Sequence, residues 1–291
     1  MPTRFAILAS GSKGNATVIQ TNGTAILIDA GIGIMEMERR LETLDIRLAD
    51  ISALIVTHLH GDHLRESIIR ACAKNNLPIY LHRRLGSLIG KKFSAYESVV
   101  QQNLSIEFDY AAFNIGEILI EPVLVPHDAA GATFAIIANC PDGQSHRRIV
   151  VATDFGAANR PIISKFADSD ALIIEFNHDV EMLQNSNRSE YLKFRVNGDS
   201  GHLSNDQAAS AIGKIIAGSS RPPSIVVAAH LSSECNTPGL VRQAAQAVLE
   251  ENGLSGTHLH ITSQDEPSGW FDLTSPYTCG QGKADRNVSN V

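Results

Sequence analysis

Cysteine is sparse in this chain and long apolar runs are missing. Only four cysteines stand among 291 residues, Cys72, Cys140, Cys235 and Cys279, and none has a second cysteine at the two-residue spacing of zinc knuckles or redox motifs. Free thiols are the expected state. No stretch of about 18 apolar residues occurs, so no membrane-spanning helix is predicted. The chain passes from Met1-Pro2-Thr3-Arg4 into the apolar stretch Phe5 to Ala9 without a signal-peptide cleavage pattern, so a cytoplasmic location away from membranes is expected. Positive charge is also short: 24 lysines and arginines face 31 acidic residues, for a formal charge of -7. That balance lacks the electrostatic footprint of tight nonspecific binding to a nucleic-acid backbone. Divalent metals bound at a site would offset the charge locally, which keeps a phosphate substrate compatible with it.

Apolar residues are abundant, at 43%, enough for one large core. One domain over residues 1–274 is expected, with a polar, aperiodic and mobile tail at 275–291. Apolar runs at Phe5 to Leu8, Ala25 to Ile28 and Ala53 to Val56 read as strands, each followed by a turn and a helical pattern. Helices are predicted at Ile34 to Leu44 and at about Leu64 to Lys74. Between Leu104 and Val151 the reading is all strand: Leu104 to Phe108, Ile118 to Val125, Thr133 to Ala138 and Arg148 to Ala152. The second half returns to alternation, with strands Ala171 to Ile174, Ser224 to Ala229 and His258 to Thr262 and helices Asn205 to Ala217 and Pro238 to Glu250. Ser204 is a plausible N-cap for the first of these helices. The pattern is an α/β (α+β) chain with two strand-rich layers flanked by helices.

Strand Ala53 to Thr57 runs into His58-Leu59-His60-Gly61-Asp62-His63, which sets three imidazoles and a carboxylate within six residues at the end of a buried strand. Imidazole suits zinc, iron or manganese-type ions, and the carboxylate adds charge for a second cation. A His-rich surface loop would explain the run alone, but not the residues downstream of it. His127, Asp154 and His230 are each the first strong ligand type after a further apolar strand.

The ordered set His-x-His-x-Asp-His, then His127, Asp154 and His230, resembles the metallo-β-lactamase superfamily. Leu8-Ala9-Ser10-Gly11-Ser12-Lys13-Gly14-Asn15, Ile28-Asp29-Ala30-Gly31, Asn177-His178-Asp179, Gly201-His202-Leu203-Ser204-Asn205 and Ala229-His230-Leu231-Ser232 are similar to its WalJ/YycJ branch, which is related to RNase Z. The resemblance implies an αββα four-layer sandwich and two divalent ions, zinc or manganese or else iron. It implies that His58, His60 and His127 hold one metal, that Asp62, His63 and His230 hold the other, and that Asp154 bridges them. Two cations so placed promote a bridging hydroxide and stabilise both oxygens of an in-line displacement, with Asp62 orienting that nucleophile. By the same resemblance Asp29 supports a ligand histidine, His202 is a general acid, and Glu175 orients it. Ser10 and Asn15 lie in a loop whose backbone N–H groups are expected either to face an anion or simply to form a turn. His178 reads equally as a capping or buried histidine, a substrate contact or an extra ligand. His82, His146, His258 and His260 are expected to be structural.

The leading expectation is a metal-dependent phosphodiesterase, in the manner of a 5'-3' DNA exonuclease, acting on DNA or on a small nucleotide. Few cations are available beside the site for it, Arg65, Lys193 and Arg195 among them. Hydrolysis of a lactam, lactone or thioester is the alternative on the same site, and a non-catalytic metal-stabilised binding module is the third.

Overall fold

In the computed structural model, which describes residues 2–143 and 145–273, short apolar strands are buried on both faces and build two seven-stranded sheets. The first sheet takes β1 (Arg4–Ala9), β2 (Ala16–Thr21) and β3 (Thr24–Ile28), which meander antiparallel. Helix α1 (Ile34–Glu42) then crosses to β4 (Ala53–Val56), and α2 (Glu66–Lys74) crosses to β5 (Ile79–His82). Helices α3 (Arg83–Lys92) and α4 (Tyr96–Gln101) lead to β6 (Ser105–Phe108), so β3 to β6 run parallel.

The second sheet begins with β7 (Phe113–Ile115), β8 (Ile118–Val125), β9 (Thr133–Asp142) and β10 (Ser145–Ala152), again antiparallel. It continues through α5 (Arg160–Phe166), β11 (Ala171–Glu175), α6 (Val180–Asn185), α7 (Glu190–Val196) and α8 (Asn205–Ala217) to β12 (Ile225–Ala229). Helix α9 (Pro238–Glu251) then leads to β13 (His258–Ile261), which leaves β10 to β13 parallel. Finally β14 (Phe271–Asp272) returns to pair with β1.

Strand alternation sorts the apolar residues into layers. In β3, Ile26 and Ile28 point into the core between the sheets while Ala25 and Leu27 join the core under α1. Phe134, Ile136, Ile173 and Val227 complete the inter-sheet layer from the other side, whereas Val150, Leu172 and Val226 pack beneath α8 and α9. The result is the four-layer αββα order expected from the sequence. Ser204 caps α8 as expected, in a reciprocal box with Gln207, and Thr237 caps α9 ahead of Pro238.

Several readings of the sequence need correction. The run at Phe5 to Leu8 is not followed by a helix: β1 turns straight into β2, and the strand–helix alternation starts only at β3. The sequence pattern also does not reveal β5, α3 and α4, which lie between residues 79 and 101. Helix α3 carries glycines at Gly86 and Gly90, poor helix formers, and only its packing through buried Leu85 and Ile89 secures it. The tail expected at 275–291 lies outside the described residues. Among the described residues no helix is long and apolar enough to cross a membrane.

All the parallel strands of each sheet end on one edge, where ligands gather in open α/β sheets. One glycine locks the two loops of that edge together. Ala30 N–H donates to His63 O (2.8 Å), Asn15 N–H to Asp62 O (2.7 Å) and Gly31 N–H to Asn15 O (2.9 Å). A Cβ on Gly31 would sit 1.6 Å from Asp62 O, so backbone would have to move to admit any side chain. Gly31→Ala is therefore expected to lose about 3 kcal/mol or more in urea unfolding. At Gly23 a Cβ meets nothing within 4 Å, and Gly23→Ala should stay within about 0.5 kcal/mol of the parent.

Candidate metal centre

The side chains of the site come from the loops after β3, β4, β8, β10 and β12, and three of the residues sit in the left-handed backbone region. Asp29 (φ 58°) follows β3, Asp154 (φ 62°) lies just beyond β10 and His230 (φ 56°) follows β12. This conformation is uncommon outside glycine, although Asp and His adopt it more readily than most residues, so the fold holds these residues at a cost. The register helps, because Ile174 pairs with Ala228 and Glu175 with Ala229, which brings Glu175 and His230 side by side. The hydroxyl of Ser10 accepts from His230 N–H at 2.7 Å across the two sheets, and Asn177 Nδ2 donates to His230 O at 3.1 Å.

The side chains converge in two adjoining nests. His58, His60 and His127 form one, and Asp62, His63, Asp154 and His230 form the other. Four of the histidines have one ring nitrogen engaged and the other turned inward. His127 Nδ1 donates to Gly201 O (3.1 Å), and its Nε2 faces His60 Nδ1 at 3.2 Å. His63 Nδ1 donates to Asp29 Oδ2 (2.7 Å) and His230 Nδ1 to Glu175 Oε1 (2.6 Å). His58 Nδ1 lies 3.1 Å from the hydroxyl of Thr57, which itself donates to Asp29 Oδ2 at 2.7 Å. Such outer hydrogen bonds fix the tautomer that leaves Nε2 as an electron-pair donor.

The fit to metal is seen in what is left over. His58 Nε2, His230 Nε2 and Asp154 Oδ2 are buried and have no hydrogen-bond partner, although burying such groups unpaired is costly. Asp154 Oδ2 lies 2.9 Å from His63 Nε2 without hydrogen-bond geometry. Nitrogen and carboxylate donors in this number match divalent transition-metal chemistry.

A family model for a beta-lactamase superfamily domain matches residues 24–230, a span that carries both nests. The chain belongs to the beta-lactamase superfamily. Among curated relatives, the exodeoxyribonuclease YycJ of Bacillus anthracis is 30% identical over 277 residues, covering 92% of this chain and 98% of its own length. The exodeoxyribonuclease WalJ of Streptococcus pneumoniae serotype 2 is 28% identical over 257 residues, covering 84% of this chain and 90% of its own. The resemblance to the WalJ/YycJ branch thus extends over most of the chain. Among solved structures, the metallo-β-lactamase fold protein YhfI from Bacillus subtilis aligns with a TM-score of 0.66 at 16% identity, covering 92% of this chain and 99% of that one. The αββα sandwich is that fold.

Within this superfamily site the two nests differ in charge. Burial, aided by His63, pushes His58 well below the usual imidazole range, and burial likewise lowers His60 and His127. Neutral imidazole is the form that binds metal. In the second nest burial opposes charge as well, yet Asp154 and Asp29 outweigh it and raise His63 well above its usual range. Asp154 in turn, despite its burial, is held well below the carboxylate range by His230 and His63.

Beside the nests stands the pair anticipated from sequence: His202 Nδ1 donates to Glu175 Oε1 at 2.8 Å. Glu175 is fully buried, and its other oxygen accepts from the N–H groups of Phe155 and Leu203 at 3.2 Å each. One carboxylate therefore holds both His202 and His230. Of the two expectations for the Ser10–Asn15 loop, four N–H groups follow the turn: Gly11 donates to Asn15 Oδ1, Lys13 to Gln264 Oε1, Gly14 to Gly11 O and Asn15 to Asp62 O. Asn15 Nδ2 lies 3.0 Å from His63 Nε2 and 3.4 Å from Asp62 Oδ2.

His178 is buried away from both nests, with Nε2 on Asn197 Oδ1 at 3.1 Å. Of the cations placed near the site, Arg65 is committed to the carbonyls of Gly31 and Lys13 and Arg195 to Asp128. Thr57, which sequence reasoning missed, ties Asp29 to His58; its place directly before the histidine run was the available signal.

A metal filling these nests stabilises the folded chain by mass action. At 100-fold above its dissociation constant one ion contributes about 2.7 kcal/mol, or roughly 4 to 5 °C in unfolding midpoint for a chain of this size. Scanning calorimetry of chelator-treated protein with zinc or manganese added back should show that rise. In His58→Ala the rise should shrink.

Proposed function

We propose that this chain is a metal-dependent phosphodiesterase that binds two divalent ions and degrades DNA from an end. The observation that carries the reading is the His202–Glu175 pair standing beside the two nests (2.8 Å), because a phosphodiester whose leaving group is a poor alkoxide needs a proton donor there. The exodeoxyribonuclease names of YycJ and WalJ support DNA as the substrate.

Two cations, when bound, lower the pKa of a water and neutralise charge on the phosphoryl group. His58, His60 and His127 would hold one and Asp62, His63 and His230 the other, with Asp154 between them. Asp62, partly exposed at the mouth of the second nest, orients the attacking water and accepts its proton. His202, fixed through Nδ1 by Glu175, presents its other ring nitrogen to the leaving oxygen and releases a proton to it. Because Glu175 also fixes His230, the proton donor and a metal ligand share one anchor and keep one spacing. Asp29 and Thr57 hold His63 and His58 in the metal-binding tautomer, while Ser10 and Asn15 steady His230 and the Asp62–His63 turn. Hydrolysis of a thioester has no such need for the His202–Glu175 pair, because a thiolate departs without a proton.

The test is an activity panel on zinc- or manganese-loaded protein with bis-p-nitrophenyl phosphate, 5'-phosphorylated single- and double-stranded DNA, RNA and a lactam. Turnover of phosphodiesters and not of the lactam is expected. His202→Ala should lose about 10²- to 10⁴-fold in kcat on DNA and far less on bis-p-nitrophenyl phosphate, whose leaving group departs without a proton. Equal losses on both substrates would remove the donor role.

A further inference from the structure

The formal charge of -7 argues against a basic groove, yet the mouth of the site is not electrically uniform. Helix α3 reads Arg-Arg-Leu-Gly-Ser-Leu-Ile-Gly-Lys-Lys and has no acidic residue; Arg83 pairs with Asp109 (3.2 Å), and Arg84, Lys91 and Lys92 are exposed. It is built into the rim. Lys92 Nζ donates to the carbonyl of Leu59 inside the histidine run. Gly131, in the loop that carries His127, lies so close to α3 that a Cβ there would meet Leu85 Cδ2 at 2.8 Å and Arg84 O at 3.2 Å.

On the far side of the same loop, Asp128 pairs with Arg195 of α7. The loop is therefore flanked by α3 and α7. Helix α7 shows solvent two aromatic rings three residues apart, Tyr191 at 77% and Phe194 at 81% exposure. Both rings line a cavity of about 640 Å³ that reaches Gly201, and an adjoining cleft of about 400 Å³ runs from Gly201 to His202. The cations of this flank are already paired: Arg188 with Glu234 (2.9 Å), Lys193 with Glu190 (3.0 Å) and Arg195 with Asp128. An uncharged planar group suits the α7 flank, and a polyanion suits the α3 flank. A strand of nucleic acid presents both at once. A protein seated permanently on Tyr191 and Phe194 would cover the approach to His202.

We propose that the mouth is a single-strand channel in which unpaired bases stack on Tyr191 and Phe194 while Arg84, Lys91 and Lys92 take backbone phosphates across the His127 loop. The inference rests on the phosphodiesterase reading and adds the state of the substrate, unpaired at the site.

Full-length metal-loaded protein is assayed for KM and kcat on a 5'-phosphorylated single-stranded oligonucleotide across a salt series, with bis-p-nitrophenyl phosphate in parallel. Tyr191→Ala and Phe194→Ala should each raise the oligonucleotide KM by about 10-fold at every salt concentration, and should lower the ratio of oligonucleotide to small-substrate kcat/KM by the same factor. Arg84→Ala with Lys91→Ala should flatten the plot of log KM against log salt by about 1.4, at about 0.7 for each phosphate no longer neutralised. Aromatic variants within twofold of the parent KM, or an unchanged salt slope, overturn the channel while leaving the phosphodiesterase standing. Sedimentation showing a dimer that the aromatic variants split would reassign the face to an interface between copies and overturn it too. A parent protein that turns over neither substrate defeats the phosphodiesterase reading itself.

Discussion

Asp154 is a carboxylate with 1% of its surface exposed, held in a left-handed backbone conformation at the point where the two sheets converge. A charge taken so far from water costs several kcal/mol unless opposite charge and hydrogen bonds surround it. The chain meets that demand with imidazoles from both sheets: His63 at 2.9 Å, His230 at 3.5 Å, His202 at 3.8 Å and His127 at 3.9 Å. Once Asp154 is placed, the surrounding rings have little freedom. Each is turned by an outer partner so that one nitrogen looks inward, and those partners are themselves buried: Asp29 for His63, Glu175 for His230 and His202.

The same demand divides the site. The His58, His60 and His127 nest contains no carboxylate of its own and is kept neutral by burial, whereas the other nest concentrates Asp62 and Asp154. A cation in the first would meet chiefly imidazole lone pairs, and one in the second would meet carboxylate charge as well. The two positions should therefore differ in metal preference and in response to acid. Backbone strain belongs to this arrangement as well. Asp29, Asp154 and His230 are all left-handed, and the sheets they terminate supply the packing that sustains them.

Much of the architecture and the site is legible in the residue order, for identifiable reasons. Apolar and β-branched runs mark β3, β4, β11 and β12, which bury both faces, and alternation marks β8, which buries mainly one. A ligand-type residue directly after a buried strand has one edge to occupy, which is how His58 to His63, His127, Asp154 and His230 point to one place. Elements whose order comes from packing more than from propensity are less visible. Helix α3, interrupted by two glycines, gives no helical period strong enough to read. The Ser10–Asn15 loop reads in the sequence as either a turn or an anion cradle, and only the folded chain sets its side chains against His230 and His63.

The residue order carries the donor types of the site and most of the strands that precede them, and through them the family resemblance that implies the ligand set and the αββα layers. The tertiary structure alone decided which groups touch. Ser10 reaches His230 across 220 residues and Glu175 reaches it across 55, and no spacing along the chain encodes those meetings. Nor does composition show that four cations of a net acidic chain lie together on α3, or that α7 turns two aromatic rings to solvent beside the site. Contact and local charge are properties of surfaces, and surfaces exist only once the two sheets have packed.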